Sequence, residues 1–194
     1  MRKISSLVVT NLLWILCCLP VITAGAATKA MYANLFALRA GEPCSAGCFF
    51  RAFAKDFRRV TGLWTLLLAA GAALGVDYYI IAYLDFPGRM AVIALIFFLA
   101  FLLLFFSSLA LPMLSQFPMS IKDAVVNGVL LCLAHLPKML LITAMNLLPW
   151  ALLLISTKLF LILGFVWITC GFGLIGLYNI RFLEKIFAPY REQV

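Results

Sequence analysis

Residues 90–114 read MAVIALIFFLAFLLLFFSSLALPML, 25 residues in a row without one charged side chain. A helix crosses the hydrocarbon of a bilayer in about 20 apolar residues, so this stretch is one crossing with length to spare. Three further runs are also strongly apolar, at 62–84, where Asp77 is the one charge, 139–156 and 159–178. The tight turn Asp85-Phe86-Pro87-Gly88-Arg89 joins the first two runs, and Thr157-Lys158 joins the last two.

The composition of the whole chain agrees with this reading. Of its 194 residues, 66% are hydrophobic and 11% charged, and the net charge is +8. Soluble domains carry about 25% charged residues, so lipid is the solvent for most of this surface. These proportions exclude a soluble enzyme and a DNA-binding domain. The chain reads as one all-α integral membrane domain spanning residues 1–194, a polytopic bundle of about five or six membrane segments. The length leaves no room for a separate soluble domain.

The N-terminal run, 4–38, is ambiguous. It imitates a secretory signal peptide, with a basic start and Ala24-Gly25-Ala26 as a small-residue site. The strongly basic stretch that follows belongs in the cytoplasm, and we therefore read the run as retained. Pro20 lacks a backbone donor and Gly25 loosens a helix, so a break is expected between them. Two forms fit: a helical hairpin or re-entrant pair with both ends inside, or one full crossing followed by an amphipathic arm on the cytoplasmic surface. Residues 120–137 contain an apolar core too short to cross, and read as a half or interfacial helix running into the next span.

Residues 48–60 form the most informative polar stretch. Phe50, Phe53 and Phe57 recur at i, i+3 and i+7, and Arg51, Lys55, Arg58 and Arg59 take the opposite side. That pattern predicts one interfacial amphipathic helix, Phe face in the acyl boundary and basic face towards anionic headgroups or a partner membrane complex. The block 39–61 is the densest in Lys and Arg, which places it in the cytoplasm. Arg181, Lys185 and Arg191 then put the C-terminus on the same side. Because the basic residues hug membrane boundaries, nucleic acid is not the partner.

Candidate chemistry is sparse. Cys44 and Cys48 are spaced i, i+4, but the single histidine, His135, lies in another apolar stretch, so we expect reduced thiols rather than a metal site. No phosphate loop or metalloprotease motif occurs, and no catalytic residue, metal or cofactor is expected. Gly71 and Gly75 form a G-x-x-x-G expected to serve helix packing, and Asn11, Asn127 and Asn146 are expected to bond between helices. Asp77, followed by Tyr78, Tyr79 and Tyr83, reads as a membrane-interface residue.

Asn11-Leu12-Leu13-Trp14, the string Leu19-Pro20-Val21-Ile22-Thr23-Ala24-Gly25-Ala26-Ala27 and Met31-Tyr32 together resemble the signature of the YesL family, small bacterial membrane proteins with a domain of unknown function. Phe50-x-x-Phe53-x-x-x-Phe57 followed by Trp64 is similar to a second stretch of that family. Lys29 departs from it, in an arm the family keeps apolar or small. The resemblance points to Asn11, Trp14, Pro20, Thr23 and Gly25 as the family motif. It also implies a multi-pass protein of the bacterial plasma membrane that is accessory to a carbohydrate ABC importer and contacts its permease subunits. A small transporter or channel is the alternative, and the oligomeric state is left open.

Overall fold

A computed structural model describes residues 2–42 and 45–191, apart from the side chains of Arg2, Lys3 and Arg191. Cys44, half of the cysteine pair considered above, lies outside the described residues. Within them the fold is all helix: α1 Arg2–Cys18, α2 Ala24–Ala40, α3 Ala46–Ala54, α4 Phe57–Tyr83, α5 Arg89–Gln116, α6 Ile121–Ala134, α7 Leu136–Ile155, α8 Thr157–Ile162, α9 Gly164–Val166 and α10 Phe172–Arg191. A 3₁₀ turn at Val21–Thr23 links α1 to α2, and a single π-turn at Trp167–Gly171 carries α9 into α10.

The ends of these helices follow from local chemistry. Ser45, Ser120 and Ser156 cap α3, α6 and α8 by accepting from the backbone N–H of Cys48, Asp123 and Leu159, which satisfies one orphan donor in each first turn. Gly41 closes α2 in the left-handed conformation, φ 83°, where a residue without Cβ carries no steric penalty.

α2 is the centre of the molecule. It packs against α1, α3, α4, α5 and α10, and Ala26, Ala27, Ala30 and Leu35 are completely buried. A helix enclosed in this way need not look like a span, which explains how Thr28, Lys29 and Asn34 sit in it. α1 lies antiparallel beside it, with Trp14 next to Thr28 and Thr10 next to Asn34. The core continues through Phe49 of α3, Leu109 and Met113 of α5, Met139 and Ile142 of α7, and Ile180, Leu183, Ile186 and Phe187 of α10.

Four helical stretches are long and apolar enough to cross a membrane: Phe57–Tyr83, Arg89–Gln116, Leu136–Ile155 and Gly164–Tyr190. These four correspond to the four long apolar runs of the sequence, and the other expected segments are the N-terminal hairpin and α6. At 17 residues each, α1 and α2 reach about 25 Å, short of the roughly 30 Å hydrocarbon core.

Two expected boundaries move. The run 159–178 is cut at Leu163 and then continues as helix to Arg191. Arg181 and Lys185 face outwards while Ile180, Leu183, Ile186 and Phe187 keep one apolar face in the core, so the charges mark a change of surface without ending the helix. The single helix expected over 48–60 is two helices. Lys55 is extended, ψ 122°, and Asp56 is left-handed, φ 58°, a conformation that Asp tolerates better than most residues. Phe57, Arg58 and Arg59 therefore open α4. The buried ring is Phe49, fully enclosed, whereas Phe50 is 50% exposed. The stack runs Phe49–Phe53–Phe57, with centroids 6.4 and 5.2 Å apart.

The glycine pair expected to pack does not do so within this chain. A Cβ at Gly71 or Gly75 would meet no atom within 4 Å, whereas at Gly173 and Gly176 it would meet Leu7 at 2.8 Å and Leu35 at 2.5 Å. Close approaches at glycine thus lie where α10 meets the N-terminal hairpin, where α2 meets Trp64 of α4, and where α6 meets Phe106 of α5.

Candidate functional site

The N-terminal break is held by three separate devices. After Pro20, the hydroxyl of Thr23 lies 2.6 Å from the carbonyl of Cys17, at the end of α1, and 2.8 Å from that of Pro20, which also accepts from the Thr23 N–H, so its single proton ties the helix end to the turn. The indole of Trp64 on α4 donates to the carbonyl of Val21 at 2.8 Å. Gly25 is where α4 passes: a Cβ there would run into Cβ of Trp64. Pro20, Thr23 and Gly25 therefore form one structure, a bent chain clamped from outside by Trp64.

Asn11 and Trp14 act elsewhere on the same hairpin. The Asn11 amide donates to the carbonyls of Trp167 at 3.0 Å and Ile168 at 2.7 Å, and its oxygen accepts from the N–H of Gly173 at 2.8 Å. All three contacts are at the π-turn, where a widened helix leaves backbone groups out of its ladder. The side chain is completely buried and bonds two carbonyls of the π-turn and one N–H of α10 just beyond it. Trp14 donates to the hydroxyl of Thr28 at 3.0 Å and packs on Phe172 with centroids 4.8 Å apart.

Lys29, buried to 4% exposure, explains the split between α3 and α4. Its ammonium donates to the carbonyl of Lys55 at 2.6 Å and lies 3.9 Å from the carboxylate of Asp56. A cation thus sits at the C-terminal end of α3, where exposed carbonyls and the helix dipole favour it.

The basic cluster does not converge on one point. Arg51, Lys55, Arg58 and Arg59 are all exposed. Arg59 donates to the carbonyl of Met119 at 2.9 Å and pairs with Asp56 at 3.6 Å, while Arg51 lies 3.3 Å from the sulfur of Cys48. The Cys48 thiol titrates below its ordinary range, first because Ser45 hydrogen-bonds to it and then because of Arg51.

Behind the hairpin lies a cavity of about 240 Å³ bounded by α1, α2, α4, α5, α7 and α10. A polar chain runs along one side of it. The Asn179 amide donates to the Tyr32 hydroxyl at 3.3 Å and to the Asn146 oxygen at 2.8 Å, and the Asn146 amide donates to the Ser108 hydroxyl at 3.1 Å. Tyr32 enters the sequence reading only through the Met31-Tyr32 pair, and Asn179 and Thr143 carry no site signal there. Asn179 falls where the hydropathy of the last helix gives way to charge, and Thr143 is one hydroxyl in a leucine-rich run. Of the polar residues that were singled out, Asn127 and Asp77 are exposed on α6 and α4. Among the described residues, no three His, Cys, Asp or Glu side chains gather as a metal-binding set.

No curated protein and no solved structure matches the chain. Residues 7–78 do match a family described as "Protein of unknown function, DUF624". The matched stretch contains most of α1, then α2 and α3, and most of α4, so it includes the break, the Trp64 clamp and the Lys29 cap. Over this N-terminal third of its length, the chain is similar to a family whose domain has no assigned function.

Proposed function

We propose that this protein is a non-enzymatic accessory subunit of a carbohydrate ABC importer in the bacterial plasma membrane, with its C-terminus in the cytoplasm. The importer and the membrane come from the resemblance to the YesL family. The observation that favours action through contacts is the α4–α5 pair. On the part of the pair away from the core, Val76, Ile80, Leu95 and Phe98 are half exposed or more, and Gly71 and Gly75 face open space. Small residues on a free helix face are what a second transmembrane helix packs against. Arg51, Lys55, Arg58 and Arg59 supply a basic surface for anionic headgroups beside that pair.

The test is co-purification of the tagged protein with permease subunits in mild detergent. Gly71→Ile should weaken recovery of the partner while leaving the protein folded, because nothing within this chain contacts that position. Recovery of the protein alone, under conditions that keep the importer intact, overturns the proposal.

A second reading, a small transporter or channel, is favoured by the cavity beside the broken helix, since discontinuous helices often frame transport sites. Flux in proteoliposomes above that of empty vesicles, for a sugar or an ion, would select it over the accessory role.

A further inference from the structure

The cavity has features that a contact-making subunit does not need. At about 240 Å³ it exceeds the roughly 150 Å³ apolar hole that accepts a benzene ring, yet it is smaller than the pockets of about 300 Å³ upwards that hold drug-sized ligands. Three of the four tryptophans, Trp14, Trp64 and Trp150, line it, and no charged side chain does. An ion, a phosphate or a carboxylate would therefore be buried there without a counter-charge, at high cost.

Among the lining residues one buried polar group lacks a partner, and behind them the Asn179 oxygen is also unpartnered. Thr143 is 1% exposed, and its hydroxyl forms no hydrogen bond within the chain. Such groups are rare in folded proteins and call for an explanation. The neighbouring polar groups are already occupied: the Asn146 amide donates to Ser108 and its oxygen accepts from Asn179. Thr143 is thus left able both to donate and to accept, at a place where the rest of the wall is mainly aromatic and aliphatic. The rim includes Leu104 and Trp150, 47% and 59% exposed, on two of the helices long enough to span. An apolar rim on spanning helices opens to the hydrocarbon.

We propose that this cavity binds a small uncharged amphiphile from the lipid phase, its apolar body against the tryptophans and its hydroxyl on Thr143, whose enclosed hydroxyl turns about χ1 to meet it. Binding of this kind is independent of the importer reading, because it needs no second protein.

The experiment uses the full chain in phospholipid nanodiscs and reads quenching of tryptophan fluorescence by bromo-octanol, with bromo-octane as the probe that lacks the hydroxyl. Bromo-octanol should quench saturably, with half-effect at a membrane concentration about fivefold lower than bromo-octane, the ratio that one neutral hydrogen bond supplies. Thr143→Val keeps the side-chain shape and removes the orphaned hydroxyl, so it should fold with an unchanged or raised thermal midpoint and lose the fivefold preference. Thr143→Ser should retain the preference. Quenching that rises linearly and equally for both probes means simple partitioning and overturns the proposal. So does a preference for the alcohol that survives Thr143→Val. Stabilisation by aqueous glucose without any preference for bromo-octanol also overturns it, in favour of a water-borne polyol.

Discussion

Asn11 makes three hydrogen bonds from one buried side chain to one turn of another helix. Alanine there would leave two carbonyls and one N–H without these partners. Each buried unsatisfied group costs about 1–3 kcal/mol, and relaxation of the π-turn into a regular helix recovers part of that. We expect Asn11→Ala to lower stability by about 2–4 kcal/mol, seen as a lower thermal midpoint in detergent. Asn11→Asp should be as damaging, because a carboxylate cannot donate to the carbonyls of Trp167 and Ile168. Cys48 offers a test outside the spans. Since Ser45 and Arg51 hold its thiol below the ordinary range, more of it is thiolate at a given pH, and thiolate is the species that alkylates. The pH profile of its reaction with iodoacetamide should therefore lie to the acid side of an ordinary cysteine's. Ser45→Ala should move that profile back towards alkaline pH.

Glycines separate the helices that touch something from those that do not. At Gly25 the stem of Trp64 occupies the place of a side chain, so Gly25→Ala forces the two helices apart. Overpacking of this kind costs about 1–3 kcal/mol. Gly71→Ala, facing open space in mid-helix, should be neutral or stabilise by up to about 1 kcal/mol. Thermal melts of the two variants side by side give the comparison. The same contrast shows what was legible in the sequence. The long apolar runs announced their helices because length and hydropathy act locally. The break near Pro20 was legible for the same reason, whereas its clamp was not, since Trp64 lies 43 residues away in sequence. The amphipathic helix was placed one step wrong because the i, i+3, i+7 rule assumes an unbroken helix. What breaks it is Lys29, seen in the sequence only as an anomaly in an apolar arm.

At the scale of the molecule there are two regions. A compact base gathers α1, α2, α3, α6 and the second half of α10 around the ends of α4, α5 and α7. The far parts of α4 and α5 extend from it, packed on each other and otherwise exposed. Four candidate spans set a definite order of sides. In a background without native cysteines, Ser45→Cys should be labelled by an impermeant maleimide from one side of the membrane. Pro87→Cys and Thr157→Cys should be labelled from the other. Labelling of positions 45 and 87 from the same side would remove α4 as a crossing.

The contact between Asn11 and the π-turn joins residues more than 150 positions apart. Ribosomes make the first partner long before the second. Throughout synthesis of the intervening spans, Asn11 sits in a hairpin whose matching surface does not yet exist. The N-terminal hairpin is thus an unfinished half-site that the last helix completes on arrival, and the wide turn at Trp167–Gly171 forms against it as a template. A chain that terminates before Trp167 keeps three of its four candidate spans, yet presents an unmet amide within its bundle. It should be cleared by membrane proteases rather than accumulate as a shorter stable protein.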